Sequence, residues 1–448
     1  MKKTLPIIVA ALVVLYPGLA WLTGFAIESR LDLHASRPLA QAPYLKLLAH
    51  SYRRGWFTSE ETLSFGFSPV LLPGSPGGAA APLVRLTIHN IVHHGPICGF
   101  TCFGLARIDT QVSVSKAVRG MLAKYFGKQA PLSIRTRMGF FGGGTTRISS
   151  PAIKGAVVVG GVITKSAGFS FLARYGRGAR WYSVRATAPS FAIATAAGKR
   201  FDLGGLSVRM DMRRVAGMLY VYDGDFSLSI KRLAVDGGGA PGVVVGNLVY
   251  AVKSESRDGY LNYALRFDTG AVSTPTLSLS NAHFDLTLKH LQMAAIEAMT
   301  TDFETLNRSA NPDPRVRMQK VMQIMRRQGL ALLQHDPQLN LDRISVANAG
   351  GQAILTGTIG LHGVTAADFS AGMLGSALRD KLDAKLAFSL DDKMLQGLPG
   401  NGAALNARLQ SLAQQGFLVR ANGLTRATIV IQQGRTTVNG HSLSPPQP

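Results

Sequence analysis

From Asp342 to Leu361 the chain reads DRISVANAGGQAILTGTIGL, in which two alternating segments flank a short connection of small residues. In the second segment every other residue is small or apolar: Ala353, Leu355, Gly357, Ile359 and Leu361. Successive side chains of a β-strand point to opposite faces of a sheet, so this spacing predicts strands that bury one face. Asn348 and the glycines after it favour a turn. The stretch therefore predicts an antiparallel hairpin.

The same two-residue spacing recurs along the chain. It is found at Leu132, Ile134, Thr136 and Met138, at Phe226, Leu228 and Ile230, at Phe284, Leu286 and Leu288, and at Ala384, Leu386, Phe388 and Leu390. An antiparallel sheet with one solvated face accounts for such alternation, and 49 glycines supply turns and bulges. We therefore predict a β-rich α+β fold, built on one or more large curved antiparallel sheets with a few packed amphipathic helices.

Three segments show helical spacing instead. They are SKAVRGMLAKYFGKQ from Ser115, LQMAAIEAMTTDFETL from Leu291 and NPDPRVRMQKVMQIMRRQGLALLQ from Asn311. In the third segment, Asp313 can cap a helix that has Pro314 in its first position. Its apolar face is expected to comprise Met318, Val321, Met322, Met325 and Leu332. We expect such faces to pack against the sheet. The alternative is that they dock on a membrane surface or line a channel for a hydrophobic ligand.

The N-terminus carries an uncharged apolar run from Leu5 to Ile27, preceded by Lys2 and Lys3. A run of this length can span a bilayer, for which about 20 residues are needed, and flanking lysines stay on the cytoplasmic side. We therefore predict one transmembrane helix within residues 1–30. A signal peptide cleaved near the small residues Gly18 and Ala20 is the alternative.

The anchor prediction also sets the domain organisation. Residues 31–443 are expected to form a β-rich domain outside the cytoplasm, with two sub-domains as an option and a helical segment near 291–335. Residues 444–448 form a proline-rich tail. The net charge of +23 indicates attraction to anions. Outside the cytoplasm those anions would be lipids or other anionic envelope components, and nucleic acid is not an expected partner.

The only two cysteines, Cys98 and Cys102, lie between glycines in GPICGFTCFG. In an oxidising compartment a pair at this spacing can close a small disulfide. Two buried free thiols are one alternative. A metal site that also uses the neighbouring His93 and His94 is another, although it would need further ligands.

The sequence contains none of the common catalytic or cofactor motifs: GxSxG, GxxxxGK[ST], GxGxxG between a strand and a helix, or HExxH. We therefore expect no cofactor, no metal and no catalytic residue, and a protein that binds or scaffolds rather than catalyses. An envelope hydrolase with an unrecognised active site is the alternative.

The segment RYGRGARWYSVR mixes arginines with aromatic residues. Its candidate anion or lipid contacts are Arg174, Arg177, Arg180, Trp181 and Arg185. Outside the cytoplasm this composition suits phosphate-bearing lipids. A solvated strand, turn and strand with outward arginines is the alternative.

Four short segments, in order behind the apolar N-terminus, resemble the YdgA-type (DUF945) family of exported bacterial proteins of unknown function. The first resembles the family's YxRGxFxS element and comprises Tyr52, Arg54, Gly55, Trp56, Phe57 and Ser59. The second is the triplet His94, Gly95 and Pro96, and the third is the proline, strand, turn and strand segment that ends at Leu361. The last includes Asn439 and Gly440. The resemblance implies a protein anchored in the bacterial inner membrane with most of its chain in the periplasm, and it implies no reaction.

We interpret the signature residues as structural. Trp56 and Tyr52 are expected to bury their rings and hold the first strand on the core, and Arg54 is expected to pair with a carboxylate. His94 is expected to be a hydrogen-bonded turn residue. A ligand site lined by aromatic rings and Arg54 is the alternative.

Overall fold

The structure, a computed structural model, describes residues 20, 21, 23, 45–67, 84–239, 242–308, 314–370, 378–397 and 402–443. Most of the predicted anchor, the Asp313 cap and the proline-rich tail lie outside these residues. No helix within the described ranges is long and apolar enough to cross a membrane. The chain divides into two compact units, Met1–Phe191 and Ala192–Pro448.

The first unit is a sheet of antiparallel strands. These strands are β1 Leu45–Arg54, β2 Thr58–Phe67, β3 Val84–His94, β4 Ala106–Val114, β5 Ser133–Met138, β6 Gly144–Ser150, β7 Val157–Val159, β8 Val162–Ser166, β9 Phe169–Tyr175 and β10 Trp181–Thr195. The helices are α1 Lys116–Phe126, with Ser115 as its N-cap, and the short 3-10 helices η1 Cys98–Phe100 and η2 Arg177–Ala179. The strands pair in the order β1, β2, β3, β4, β5, β6, β9, β10, and β7 pairs with β8.

This pairing brings four connections to one end of the sheet. They are residues 55–57, 95–105, 139–143 and 176–180, and together we call them the loop end. The register places them side by side, because His94 lies opposite Ala106, Ala106 opposite Met138, Met138 opposite Gly144, and Gly144 opposite Tyr175. Backbone hydrogen bonds join neighbouring connections, from Leu105 N to Met138 O (2.8 Å) for example.

The two faces of the first sheet differ in polarity. On one face Val92, Leu105, Ala106 and Ile108 are buried together, and Met138 packs against them. Because successive side chains of a strand point to opposite faces, Arg107, which lies between Ala106 and Ile108, points to the other face of the sheet. The core of the first unit therefore lies on one side of the sheet, and polar side chains cover the other side.

The second unit is also a large antiparallel sheet. Its strands are β11 Lys199–Arg214, β12 Tyr222–Gly237, β13 Val243–Arg257, β14 Tyr260–Ser273, β15 Ser278–Gln292, β16 Gln338–Asn348, β17 Gly351–Leu361, β18 Leu382–Asp391, β19 Val419–Ala421, β20 Leu424–Gln432, β21 Arg435–Val438 and β22 His441–Leu443. Its helices are α2 Met293–Arg308, α3 Pro314–Leu333, α4 Ala366–Ser370 and α5 Gly402–Gln414, with the 3-10 helices η3 Arg379–Lys381 and η4 Asp392–Gly397. One core cluster joins Val221, Leu261, Leu291 and Met293.

The predicted β-rich class with few helices is confirmed, and the opening hairpin forms as β16 and β17, with Asn348 opposite Gly351. All three predicted helices are present. One expectation about their packing is wrong, because Met318, Met322 and Met325 of α3 are exposed rather than packed on the sheet. Leu332 of the predicted face does pack against the core cluster of the second unit, and Ile324 of the same helix is buried.

Candidate functional site

Residues of the first two signature elements form one interlocked cluster at the loop end. The side chain of His94 is buried, with the residue only 1% exposed. Its Nε2 lies 2.8 Å from Ser59 Oγ, and its Nδ1 lies 3.2 Å from the carbonyl oxygen of Trp56. The backbone N–H of His94 donates to Phe57 O at 2.9 Å. His94 therefore ties the turn after β1 to the end of β3.

Three described residues of the apolar N-terminal run contact this cluster. The Arg54 guanidinium lies over the ring of Trp21, 4.9 Å from its centroid. Thr23 Oγ1 donates to Gly95 O at 3.3 Å, and Ala20 is fully buried, with its backbone hydrogen-bonded to His94. The first two signature elements therefore hold residues 20, 21 and 23 against the sheet.

The prediction that Trp56 buries its ring is wrong, because this residue is 63% exposed. Strand β2 begins at Thr58, so Trp56 lies in the turn and not in the alternating run that enters the core. A backbone hydrogen bond from the Gly55 N–H to Thr58 O (2.9 Å) closes that turn. Phe57 is exposed as well, whereas Tyr52 is half-buried. The turn therefore presents two aromatic rings to the surroundings.

Unfolding of the first unit is expected to become easier as the pH falls below about 6.5, the ordinary pKa of histidine. Burial lowers the pKa of His94 in the folded chain. Between the two pKa values the unfolded chain binds a proton that the folded chain does not, so stability decreases on acidification by up to about 1.4 kcal/mol per pH unit. Urea melts followed by tryptophan fluorescence report on this unit, because Trp21, Trp56 and Trp181 all lie within it. An unchanged pH dependence in His94→Gln would contradict this assignment.

Strands β4, β5, β6, β9 and β10 carry six arginines on the polar face of the first sheet. They are Arg107, Arg135, Arg137, Arg147, Arg174 and Arg185, and we call them the arginine face. The register aligns them in two rows across the strands. Arg107 lies opposite Arg137, and Arg137 and Arg174 both lie opposite Thr145; in the second row, Arg135 lies opposite Arg147.

One carboxylate lies among these arginines. Asp109 accepts from Arg135 Nε at 2.8 Å and pairs with Arg107 Nη2 at 2.9 Å and with His93 Nε2 at 3.3 Å. Burial of the carboxyl opposes ionisation, but the bonds and charges of both arginines still hold the pKa of Asp109 below its usual range. In the described part of the chain no carboxylate pairs with Arg137, Arg147 or Arg174. The arginine face therefore keeps a net positive charge.

An open pocket of about 560 Å³ lies where the arginine face meets the loop end. Its charged lining consists of Arg137, Arg174 and Arg177. Its aromatic lining consists of Phe103, Phe141, Tyr175 and Trp181. Phe103 is 82% exposed and Phe141 is 86% exposed. Cationic groups and apolar rings thus converge in one place, and pockets of this volume hold small ligands.

The glycine-rich segment GFFGGGTT shapes one wall of the pocket. A side chain at Gly143 would bring a Cβ within 2.8 Å of Tyr175 O, which is closer than packed atoms allow. At Gly176 a Cβ would collide with the Trp181 ring. Gly143 therefore lets the turn at 139–143 approach the turn at 176–180, and Gly176 leaves room for the Trp181 ring. The close approach places Phe141 and Trp181 around the same cavity.

Cys98 and Cys102 are joined by a disulfide, with their Cα atoms 5.2 Å apart. The bond closes the tip of the connection between β3 and β4, and Cys102 itself lines the pocket next to Phe103. Because the sulfurs are bonded to each other, neither thiolate is left for a metal site. The disulfide constrains the segment that carries Phe103.

Alkylation of the unreduced, denatured protein is expected to label no thiol, because Cys98 and Cys102 are paired. Intact-mass analysis after reduction should then show two added labels. Two labels without reduction would mean that the chain matures in a reducing compartment, and would count against export.

The structure divides the arginines predicted from RYGRGARWYSVR between two places. Arg174, Arg177 and Trp181 line the pocket, and Arg180 lies in the same turn. Arg185 lies on the arginine face, where its Nη1 donates to Val184 O at 2.9 Å. Sequence reasoning missed Arg107, Arg135, Arg137 and Arg147. The alternation in SIRTRM, residues 133–138, was the local signal that arginines share one strand face.

Asn439 and Gly440 form the turn between β21 and β22 in the second unit. Both have positive φ, 48° and 83°. The Asn439 side chain accepts from Thr428 N at 2.8 Å and donates to Phe417 O at 3.0 Å. This signature pair is therefore a hairpin element that also fastens the neighbouring strand β20.

Among the described residues of the second unit, Asp268, His283 and Asp285 bring metal-ligating side chains close together. His283 Nδ1 is already bonded to Asp268 Oδ1 at 2.7 Å, and Arg266 binds the other carboxylate oxygen. Burial and the charge of Asp268 raise the pKa of Asp285. The nearby arginines Arg266 and Arg343 oppose a further cation. These residues form an internally balanced charge network.

The family model described as "Bacterial protein of unknown function (DUF945)" matches residues 1–446. The match includes both units and all four signature segments. No curated protein and no solved structure matches the chain.

Proposed function

The chain belongs to the DUF945 family of bacterial proteins, as the signature segments predicted, and we propose that it is an envelope protein that binds anionic amphiphiles at its arginine face. In this proposal the apolar run anchors the chain in the inner membrane, and both units lie in the periplasm. The role is binding or scaffolding without catalysis. The ligand would be a lipid with a phosphate or another anionic headgroup.

The observation that carries the proposal is the pairing of like charges on the first sheet. Arg107 lies directly opposite Arg137, and Arg135 directly opposite Arg147. Such cross-strand pairs repel and destabilise a sheet. Asp109 relieves part of the repulsion, since it binds Arg107 and Arg135. A bound anion would relieve the remaining repulsion between the arginines. Arrangements that destabilise a fold locally, such as these like-charged pairs, occur mainly at functional sites.

The side chains at the pocket match both parts of an amphiphile. Guanidinium groups such as those of Arg137 and Arg174 form paired hydrogen bonds with phosphate or carboxylate oxygens. The exposed rings of Phe103, Phe141 and Trp181 offer apolar surface for an acyl chain. A simple inorganic anion would use only the first set of contacts. The combination therefore favours a lipid-like ligand over free phosphate.

The proposal is tested by equilibrium binding with full-length protein in an uncharged detergent. The probe is phosphatidylglycerol with short acyl chains below its micellar concentration, and the comparison is phosphatidylcholine with the same chains. Binding of the anionic lipid and little binding of the zwitterionic lipid is the expected result. Equal affinity for both would contradict the role of the arginines, and binding of neither would contradict the proposal as a whole.

A further inference from the structure

We infer that the loop end of the first unit docks on the surface of an anionic bilayer, with the aromatic rings of its turns in the headgroup region. The inference rests on the proposed function only in placing the chain at a membrane. The docking surface extends beyond the pocket, because Phe103, Phe141 and Trp181 line that cavity whereas Trp56 and Phe57 do not. Its occupant is a lipid bilayer, whereas the pocket takes a single lipid molecule.

Exposed aromatic and large apolar side chains are concentrated in the loop end. The first three connections each contribute two such side chains, and the fourth is followed directly by Trp181 at the start of β10. The exposed residues of the first three are Trp56 and Phe57, Ile97 and Phe103, and Phe140 and Phe141. Phe103 and Phe140, from neighbouring connections, touch edge to face with centroids 5.1 Å apart. Exposed rings therefore occur along the whole of this sheet end, and exposed apolar surfaces of this kind mark interaction sites.

The charge of the loop end complements an anionic surface. None of the four connections contains an aspartate or a glutamate, as the printed sequence shows for residues 55–57, 95–105, 139–143 and 176–180. Arg177 and Arg180 lie in the last connection, and Arg54 immediately precedes the first. Each basic side chain near an anionic membrane contributes about 1 kcal/mol of attraction. A surface with aromatic rings, arginines and no carboxylates is therefore suited to lipid headgroups rather than to a cationic or neutral partner.

Tryptophan and tyrosine concentrate at membrane interfaces, since one side of the ring is apolar and the other can hydrogen-bond to water or headgroups. All three tryptophans of the chain lie at this end of the first unit. Trp56 lies in the first turn, Trp181 begins β10 beside the last turn, and Trp21 lies against Arg54. This placement is the one expected if the loop end meets the membrane interface.

The N-terminal contacts independently orient this end. Trp21 and Thr23 belong to the apolar run from Leu5 to Ile27, and they contact Arg54 and Gly95 at the loop end. If the part of the run before Ala20 enters a bilayer, these contacts hold the loop end at the membrane surface. The opposite end of the first sheet, where Phe169 begins β9, has no such contact among the described residues.

The docking is tested with full-length protein reconstituted into vesicles of phosphatidylglycerol and phosphatidylcholine that carry brominated acyl chains. Bromine quenches tryptophan fluorescence at short range. The signal of Trp56 is obtained by subtracting the fluorescence of Trp56→Phe from that of the parent, and the signal of Trp181 likewise from Trp181→Phe. Loss of the Trp56 signal in anionic vesicles is the expected result. Phe57→Ser should reduce this loss, and Val158→Ser, a matched change at an exposed position of β7, should not.

The outcomes separate this inference from the proposed function. Quenching of Trp181 with an unquenched Trp56 would mean that a lipid occupies the pocket while the loop end stays off the bilayer, which overturns docking and leaves the proposed function standing. Quenching of neither residue also overturns docking. Equal quenching of Trp56 in vesicles of pure phosphatidylcholine would overturn the anionic requirement. Trp56 quenched while short-chain phosphatidylglycerol fails to bind would support docking and reject the pocket as a lipid site.

Discussion

Exchange of both Arg137 and Arg174 for glutamate is expected to weaken binding of short-chain phosphatidylglycerol by about 100-fold or more. Each charged hydrogen bond contributes about 1.5 to 3 kcal/mol, and a tenfold change in affinity corresponds to about 1.4 kcal/mol. The new carboxylates would also repel the headgroup. Both arginines are exposed and lack a carboxylate partner in the described structure, so the fold should tolerate the change. Titration with full-length protein in uncharged detergent measures the effect.

A matched control is available in the second unit. Arg209 of β11 and Arg232 of β12 are exposed strand arginines, so Arg209→Glu with Arg232→Glu makes the same change in net charge away from the pocket. The control variant should bind like the parent. If both double variants lost affinity equally, the ligand would be responding to overall charge, and the arginine face would not be a specific site.

The second large effect concerns stability. His94→Ala is expected to destabilise the first unit by about 2 to 4 kcal/mol, since it leaves the buried Ser59 hydroxyl without its bond and opens a cavity. That loss is a large share of the roughly 5 to 15 kcal/mol that holds a domain folded. Trp56→Ala, in contrast, removes an exposed ring and should change stability by less than about 1 kcal/mol. Urea melts followed by the remaining tryptophans compare the two variants.

The two substitutions also distinguish the two interpretations of the signature. If Trp56→Ala unfolded as readily as His94→Ala, the Trp56 ring would be buried in solution, and a docking role for it would fail. If His94→Ala melted like the parent, the histidine would be free for chemistry rather than committed to Ser59 and the Trp56 carbonyl.

Local pattern was sufficient to predict most of the secondary structure. Alternation predicted the strands around Asp342 to Leu361, and Pro314 marked the first residue of α3. Helix α5 was missed, although Leu405, Leu409 and Leu412 recur at helical spacing in residues 402–414. The exposure of the α3 methionines was mispredicted, because the spacing of apolar residues along a helix does not show which part of the protein packs against them. Periodicity identifies an element, and packing depends on distant residues.

The arginine face could not be predicted from the sequence, because it depends on strand register. Arg107 and Arg174 are 67 positions apart, and they share a face only because β6 pairs with β9 across the inserted hairpin of β7 and β8. The segment from Arg174 to Arg185 was noticed because its arginines are close together in sequence. The burial of Trp56 was mispredicted for a related reason. Strand β2 begins at Thr58, two residues later than the prediction required, so the Trp56 ring lies in the turn and outside the alternating run.

Native mass spectrometry of the full-length protein, released from uncharged detergent, tests the central claim most directly. The account predicts that the parent chain carries a co-purified anionic lipid and that the Arg137→Glu, Arg174→Glu variant has lost it, while the Arg209→Glu, Arg232→Glu control retains it. A parent chain free of anionic lipid, or a pocket variant that retains as much lipid as the parent, would contradict the claim that the arginine face is a binding site for anionic amphiphiles.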